Sequence, residues 1–404
     1  SAASDVYKRQ QIRGLSQAQN NTADGVSVLN TAEGAITEIQ SMLTRLKELS
    51  VQAANDVNSD DEREAIQKEI EQINNEIDRI SDQTEFNTQS LINGNLSRRV
   101  YSDLQGVNQL SVSDSYTAGV YGITVTEDAR QAIAVGAGSI TMSSTASITE
   151  EQAGAINING YKISISEGDT LDKVMGKIID GVNITGGSAF TVKDLNNDTA
   201  ANGTDYAGYV PTADYAGSTL VIMTNQYGSD QKMNITCDNA ELADILGIPQ
   251  AATQDGIYVE GSDVKAEIAT GDDGKRIGFA DSAILSTKGT VITVTDVNNK
   301  EFSMDVPGNA AGTVFDDSNN DGQSAAGAGT AKTISQEVTD VGTMSIHVGA
   351  NQDQVIVIDI PAITTYSLGT EHMNVMTQYT ASRAISTVAV SYTHLRAHET
   401  GAYL

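Results

Sequence analysis

VLNTAEGAITEIQSMLTRLKELSVQAANDVNSDDEREAIQKEIEQINNEIDRI, residues 28–80, decides the fold. Val28, Ala32, Ala35, Ile39, Met42, Leu46, Leu49 and Ala53 alternate at spacings of four and three, and the stretch contains no proline. That spacing is an a/d seam, the narrow apolar stripe of a bundled helix. Asn55 to Asp60 is rich in Asn, Asp and Ser and predicts a turn. Ser59 with Glu62 forms a capping-box pattern, and Asp60 and Asp61 suit the positive end of a helix dipole. The seam then resumes at Ile66, Ile70, Ile73, Ile77 and Ile80, with Glu64 and Lys68 as an i,i+4 pair on the outer face. Two seam-bearing helices joined by a short turn predict an antiparallel hairpin that needs further helices to complete a bundle.

Downstream the pattern changes. Between Asn95 and Asp340, Gly, Ser, Thr, Asn and Asp dominate and the apolar period falls to two. Ile156 and Ile158, then Asn159-Gly160, then Tyr161, Ile163 and Ile165 predict a two-residue hairpin. Thr170 can cap a short helix with Leu171, Val174 and Ile178 on one face. Phe190 to Val192, Leu220 to Met223, Val291 to Thr295 and Phe302 to Val306 have strand-like composition, whereas Asp316 to Gly329 reads as a flexible loop. From Val341 the chain offers a strand at Val355 to Ile360, then Pro361, then a helix over about Thr370 to Val390. Its apolar positions are Met373, Met376, Tyr379, Ala384, Ile385 and Val388. The fold class predicted is α+β: a long antiparallel helical hairpin or bundle carrying an inserted, β-rich variable domain. The expected divisions are 1–98 for the N-terminal helical segment, 99–340 for the insert and 341–390 for the return strand and helix.

Composition narrows the function. The length of 404 residues accommodates two to four domains, and 39% hydrophobic residues can build a core. A net charge of −29 repels nucleic acid and anionic membranes, so neither is an expected partner. Cys237 is the sole cysteine, which excludes an internal disulfide framework. No run of about 18 apolar residues is present to span a bilayer. Ser1 to Gln10 lacks the apolar segment of a signal peptide.

Chemical constellations are weak. His394 and His398 stand four apart beside Glu399, but Leu395 occupies the place where a zinc protease needs glutamate, and they read as stray histidines. Asp317, Asn319, Asp321 and Gly322 open like a calcium loop, but Ala328 replaces the twelfth-position acid, leaving an acidic turn. Gly327, Gly329, Lys332 and Thr333 fall short of a phosphate loop because Ala331 precedes the lysine, and a low-complexity loop is the preferred reading. Cys237, ending the run Met233 to Thr236, reads as a small buried hydrophobe. No catalytic residue, cofactor or metal site is expected.

The hairpin carries a family resemblance. Gln11-Ile12-Arg13-Gly14-Leu15, Thr31-Ala32-Glu33-Gly34-Ala35, Leu46-Lys47-Glu48-Leu49-Ser50-Val51-Gln52-Ala53-Ala54-Asn55, Glu76-Ile77-Asp78-Arg79-Ile80 and Thr84-Glu85-Phe86-Asn87 resemble the N-terminal region of bacterial flagellin, in order and spacing. Ile346-His347-Val348-Gly349-Ala350-Asn351, with Gln354, resembles the strand that returns a flagellin chain to its helical domain. Ile156-Asn157-Ile158-Asn159-Gly160 with Gly168-Asp169-Thr170-Leu171 resembles the hook-type repeat of flagellin inserts, here near 155–246. The 1–9 segment and the 391–404 tail do not resemble flagellin and are expected to be non-native. The resemblance otherwise lacks the family's terminal polymerisation helices, so the expectation is a fragment, with the C-terminal helix cut short near Val388.

The resemblance implies a structural filament subunit, not an enzyme. It sits outside the cell in the flagellum and is exported without a cleavable signal peptide. Implied partners are other flagellin subunits, the export chaperone, the filament cap and the flagellin-sensing Toll-like receptor of a host. Matched residue by residue, the receptor face falls on Arg45, Leu49, Gln52 and Glu69, with Thr44 replacing a glutamine common among recognised members. Leu49 also lies on the seam. A hook–filament junction protein, or an adhesive, carbohydrate-binding surface module, is the alternative. An enzymatic insert lacks the zinc motif it would need.

Overall fold

The computed structural model describes residues 2–113, 116–193, 215–253, 255–297, 300–308, 310–311, 315–316, 325–326 and 331–401. Six α-helices are present among them: α1 (Ala2–Ala53), α2 (Asp60–Gln83), α3 (Leu171–Ile184), α4 (Ala240–Ile245), α5 (Thr365–Leu368) and α6 (Gln378–Gly401). The α1–α2 turn closes as the sequence dictates. The Ser59 amide donates to Glu62 Oε2 at 2.7 Å, and the Glu62 amide donates back to Ser59 Oγ at 3.3 Å. Arg63 secures the same turn from inside, donating to the Ala53 and Asn55 carbonyl oxygens at 3.2 Å each.

The hairpin's apolar stripe drifts from a strict heptad. Ile39, Leu43, Leu46 and Leu49 are buried to within 1% exposure, and Ser50 beside them is fully covered. Met42, expected on the seam, is half-buried. A straight helix turns every 3.6 residues, not 3.5, so the buried line passes from position 42 to 43. On α2, Ile66, Ile70, Ile77 and Ile80 point inward and Ile73 is half-buried. Asn74 is buried instead, its Nδ2 donating to the Thr370 carbonyl oxygen at 2.8 Å. The third wall is α6, which places Ala381, Ala384 and Val388 in the core shared by α1 and α2.

Two C-terminal expectations need correction. The helix begins at Gln378, not Thr370, because Thr377 and Thr380 cap each other: each amide donates to the other's hydroxyl, at 3.0 and 3.1 Å. It also runs past Val388 to Gly401, so the hairpin is covered further than expected. The strand ends at Ile358, where Asp359 turns its carboxylate toward Arg98.

The inserted part is nested. Its outer layer has two antiparallel four-stranded sheets. One runs Lys265–Ile268, Gly119–Glu127, Lys332–Val338, Val100–Ser102 in spatial order. The other runs Ile284–Lys288, Val291–Asp296, Lys300–Asp305, Asn108–Val112. Between them Tyr116, Tyr121, Phe279 and Phe302 pack largely edge to face, with Tyr121 and Phe279 centroids 5.0 Å apart. Such geometry sets the positive ring edge against the negative face.

Between Glu127 and Lys265 lies a second module. Its sheet orders Ile257–Glu260, Lys232–Cys237, Gly154–Ile158, Tyr161–Ile165, with α3 and α4 packed on one continuous core. A three-stranded sheet, Ile133–Ser139, Ser218–Thr224, Gly187–Lys193, completes it. The Asn159-Gly160 turn has φ of 51° and 91°, the paired positive values a two-residue hairpin requires. Asn159 also stitches the turn to the next strand, donating through Nδ2 to Lys232 O and accepting from the Asn234 amide. The whole is α+β.

Candidate functional site

Of the positions expected on a receptor face, Arg45, Gln52 and Glu69 lie on the outer side of the hairpin. Arg45 on α1 reaches across to α2, donating to Glu69 Oε1 from Nε at 3.0 Å and from Nη2 at 2.7 Å. Its Nη1 donates to Glu48 Oε2 at 3.2 Å. The bond to Glu69 is the chief reason the Arg45 pKa rises above its ordinary value. Gln52 is exposed on the same helix, and Glu69 is half-buried. Leu49 is 1% exposed and belongs to the core. The structure therefore joins Arg45 and Glu69 directly, leaves Gln52 in solvent, and turns Leu49 away from it.

Of the weaker constellations, Asp317, Asn319, Asp321, Gly322 and Ala328 lie outside the described residues, as do Gly327 and Gly329. Lys332 and Thr333 are corrected from loop to strand, within Lys332–Val338. Thr333 Oγ1 meets Thr124 Oγ1 at 3.0 Å across the sheet. His394, His398 and Glu399 fall on α6, with their side chains outside the description. Cys237 is buried, and burial is the main cause raising its thiol pKa.

A second candidate region lies where the inner module meets the helical core. Asn374, just before α6, donates to the Ile184 carbonyl oxygen at the end of α3 at 2.9 Å. Nearby, a cleft of about 360 Å3 opens between the α1–α2 turn, the Asn159–Gly160 turn and Met376–Tyr379. Arg383 stacks over the Tyr379 ring at 6.0 Å, and desolvation lowers its pKa. This junction was not foreseen from sequence. Its parts are far apart in the chain: Ile184 and Asn374 are separated by 190 residues, and the cleft walls run from Asp56 to Tyr379.

The described residues thus form a three-helix core that carries two nested β-rich modules. Residues 1–97 match the family model of the bacterial flagellin N-terminal helical region. Over that region the chain is similar to the flagellin family. A flagellin of Clostridium tyrobutyricum is 35% identical over 193 residues, 41% of this chain and 51% of that protein. A Salmonella typhimurium flagellin is 31% identical over 283 residues, 66% of this chain and 53% of that protein. The chain thus spans about half the length of these curated relatives. Among solved structures, the D1-D2-D3 domains of the flagellar cap protein FliD from Escherichia coli superpose loosely. The TM-score is 0.33 at 12% identity, over 89% of this chain and 70% of that one.

Proposed function

We propose that the chain is a structural subunit of the bacterial flagellar filament, without catalytic activity of its own. The observation that carries this reading is the α1–α2 hairpin, which lies within residues 1–97 that match the flagellin helical model and shares one core with the distant α6. Among the described residues no helix is long and apolar enough to cross a membrane. In this reading the helical domain bundles against other flagellin subunits, and the nested modules face outward from an extracellular filament. Delivery is by the flagellar export route, with its chaperone and the filament cap as transient partners.

Antibodies raised against the inner module, applied with gold labels to the flagellated bacteria that carry this sequence, test the reading by electron microscopy. Decoration along the whole filament is the expected result. A single hook-proximal band would make the chain a junction protein, and labelling at the tip alone would make it a cap component.

The same reading makes Arg45, Gln52 and Glu69 a contact face for the flagellin-sensing Toll-like receptor, with Leu49 supporting α1 from within. Truncating an interface arginine often costs about 2 kcal/mol, roughly thirtyfold in affinity. Arg45→Ala should therefore weaken receptor binding at unchanged helix content by circular dichroism. Equal binding of both proteins would remove the assignment.

A further inference from the structure

We propose that the cleft between the helical core and the inner module binds a neutral, polyhydroxylated ligand, a short carbohydrate. This stands apart from the filament reading. The cleft, about 360 Å3, is at the lower end of small-ligand pocket size and suits one or two sugar rings.

The charges of its wall are already spent. Arg63 donates to two backbone carbonyl oxygens and faces Asp60 at 3.9 Å. Lys232 pairs with Glu260 at 2.7 Å. An anion would find both cations engaged and would meet the carboxylates of Asp56 and Asp60 in the same wall.

Neutral hydrogen-bonding groups remain. The side-chain amides of Asn234 and Gln378 line the cleft and make no hydrogen bond within the described residues. A purely apolar ligand would leave these groups unsatisfied, at a cost for each. Beside them stand aromatic rings. Tyr258 is half-exposed and held by its hydroxyl, which donates to Glu260 Oε1 at 2.6 Å. Tyr161 lines the adjoining wall. A ring that can stack on the C–H face of a sugar, next to amides that can pair with its hydroxyls, is the chemistry of carbohydrate recognition.

The walls belong to both the helical core and the inner module, so the ligand is complementary only to their docked arrangement. Binding would raise the docked population by its differential affinity for that state.

The full chain is titrated with maltose, cellobiose, lactose and diacetylchitobiose by calorimetry and by tyrosine fluorescence, which is unobscured because tryptophan is absent. At least one should saturate in the millimolar range. Tyr258→Ala and Gln378→Ala should each weaken it about tenfold, the scale of one lost stacking or hydrogen-bonding contact. Tyr101→Ala, an exposed tyrosine on the outer sheet, should leave it unchanged. Far-UV circular dichroism checks that all variants fold. No saturable response to any of the sugars overturns the proposal. So does sugar binding that survives both cleft substitutions, or sugar displacement by inorganic phosphate.

Discussion

Asn374 places its Nδ2 2.9 Å from the Ile184 carbonyl oxygen, so a residue of the helical core satisfies the C-terminal end of a helix in the inserted module. Helix ends leave carbonyls without internal partners, and this one is met from the other module. Gly186 lies beside it at φ +78°, and a Cβ built there falls 3.9 Å from Asn374 Cβ.

That separation lies within the roughly 3.5–4.5 Å that a disulfide spans between Cβ atoms. The paired variant Gly186→Cys, Asn374→Cys should therefore oxidise to an intramolecular bridge, against the strain that a side chain bears at this left-handed φ. Cys237 is buried and does not compete. A mobility shift on non-reducing gels, abolished by reductant, is the expected result. Persistently free thiols under oxidant, in a variant whose melting temperature matches that of Gly186→Cys alone, would mean that the inner module does not dwell on the core in solution.

Asp78 on α2 is the anchor for the turn that follows Pro361. It accepts from the Thr365 amide at 2.8 Å and from Thr365 Oγ1 at 2.7 Å, and Thr365 is buried. Asp78→Ala strands both donors, and each unsatisfied buried group costs about 1–3 kcal/mol. Denaturant unfolding followed by circular dichroism should show the helical transition moving to lower denaturant. Asp78→Asn, which keeps one acceptor oxygen, should fall between.

The legible parts of the sequence are those whose partners lie within a few residues. Ser59 and Glu62 announce the α2 cap, Asn159-Gly160 the tight turn, and Thr170 the start of α3, where it accepts from the Lys173 amide. Thr377 and Thr380 carried the same kind of signal for α6, hidden because apolar residues continue on both sides. Asn74 was not legible as a core residue. Its justification, the Thr370 carbonyl, is 296 residues away, and periodicity favoured its neighbour Ile73. The Arg45–Glu69 pair bridges two helices, so neither helix pattern alone reveals it. The nesting of one module inside another is a matter of strand pairing, and alternation shows which face a strand buries but not which strand it joins.

Gly342 marks where the chain re-enters the helical core. Its φ is +113°, and a Cβ there would lie 2.2 Å from the Ser97 carbonyl oxygen. The outgoing and returning strands are tied at this point, with the Arg99 amide donating to Val341 O at 2.9 Å. Gly342→Ala must bear a strained backbone and push aside a rigid main-chain atom. Strain of this kind costs about 1–3 kcal/mol before the clash is added. Limited proteolysis should cut near this crossing faster in the variant, with a lower melting temperature for the helical core. An unchanged digestion pattern and melting temperature would mean that the two strands separate freely.

Asp169 gives the inner module an acid-sensitive element. Its carboxylate is buried between Lys173 Nζ at 2.8 Å and Lys177 Nζ at 2.6 Å, and it accepts from the Ser166 amide at 2.9 Å. The bond from Lys173 first, then those from Lys177 and Ser166, hold its pKa far below the ordinary carboxylate range. A depressed folded value means that the native state favours the ionised form. The resulting stabilisation is complete above the unfolded carboxylate pKa, about 4, and is lost as pH falls from there toward the folded value. Both lysines keep contact with water, Lys173 at 64% and Lys177 at 32% side-chain exposure, so solvent screens part of the attraction. Asp169→Asn should lower the melting temperature of the inner module at neutral pH. It should also flatten the decline that the native chain shows below about pH 4. Thermal melts of both proteins across that range provide the check. If the variant is destabilised by the same amount at acid and neutral pH, the carboxylate acts through shape alone and its charge contributes nothing.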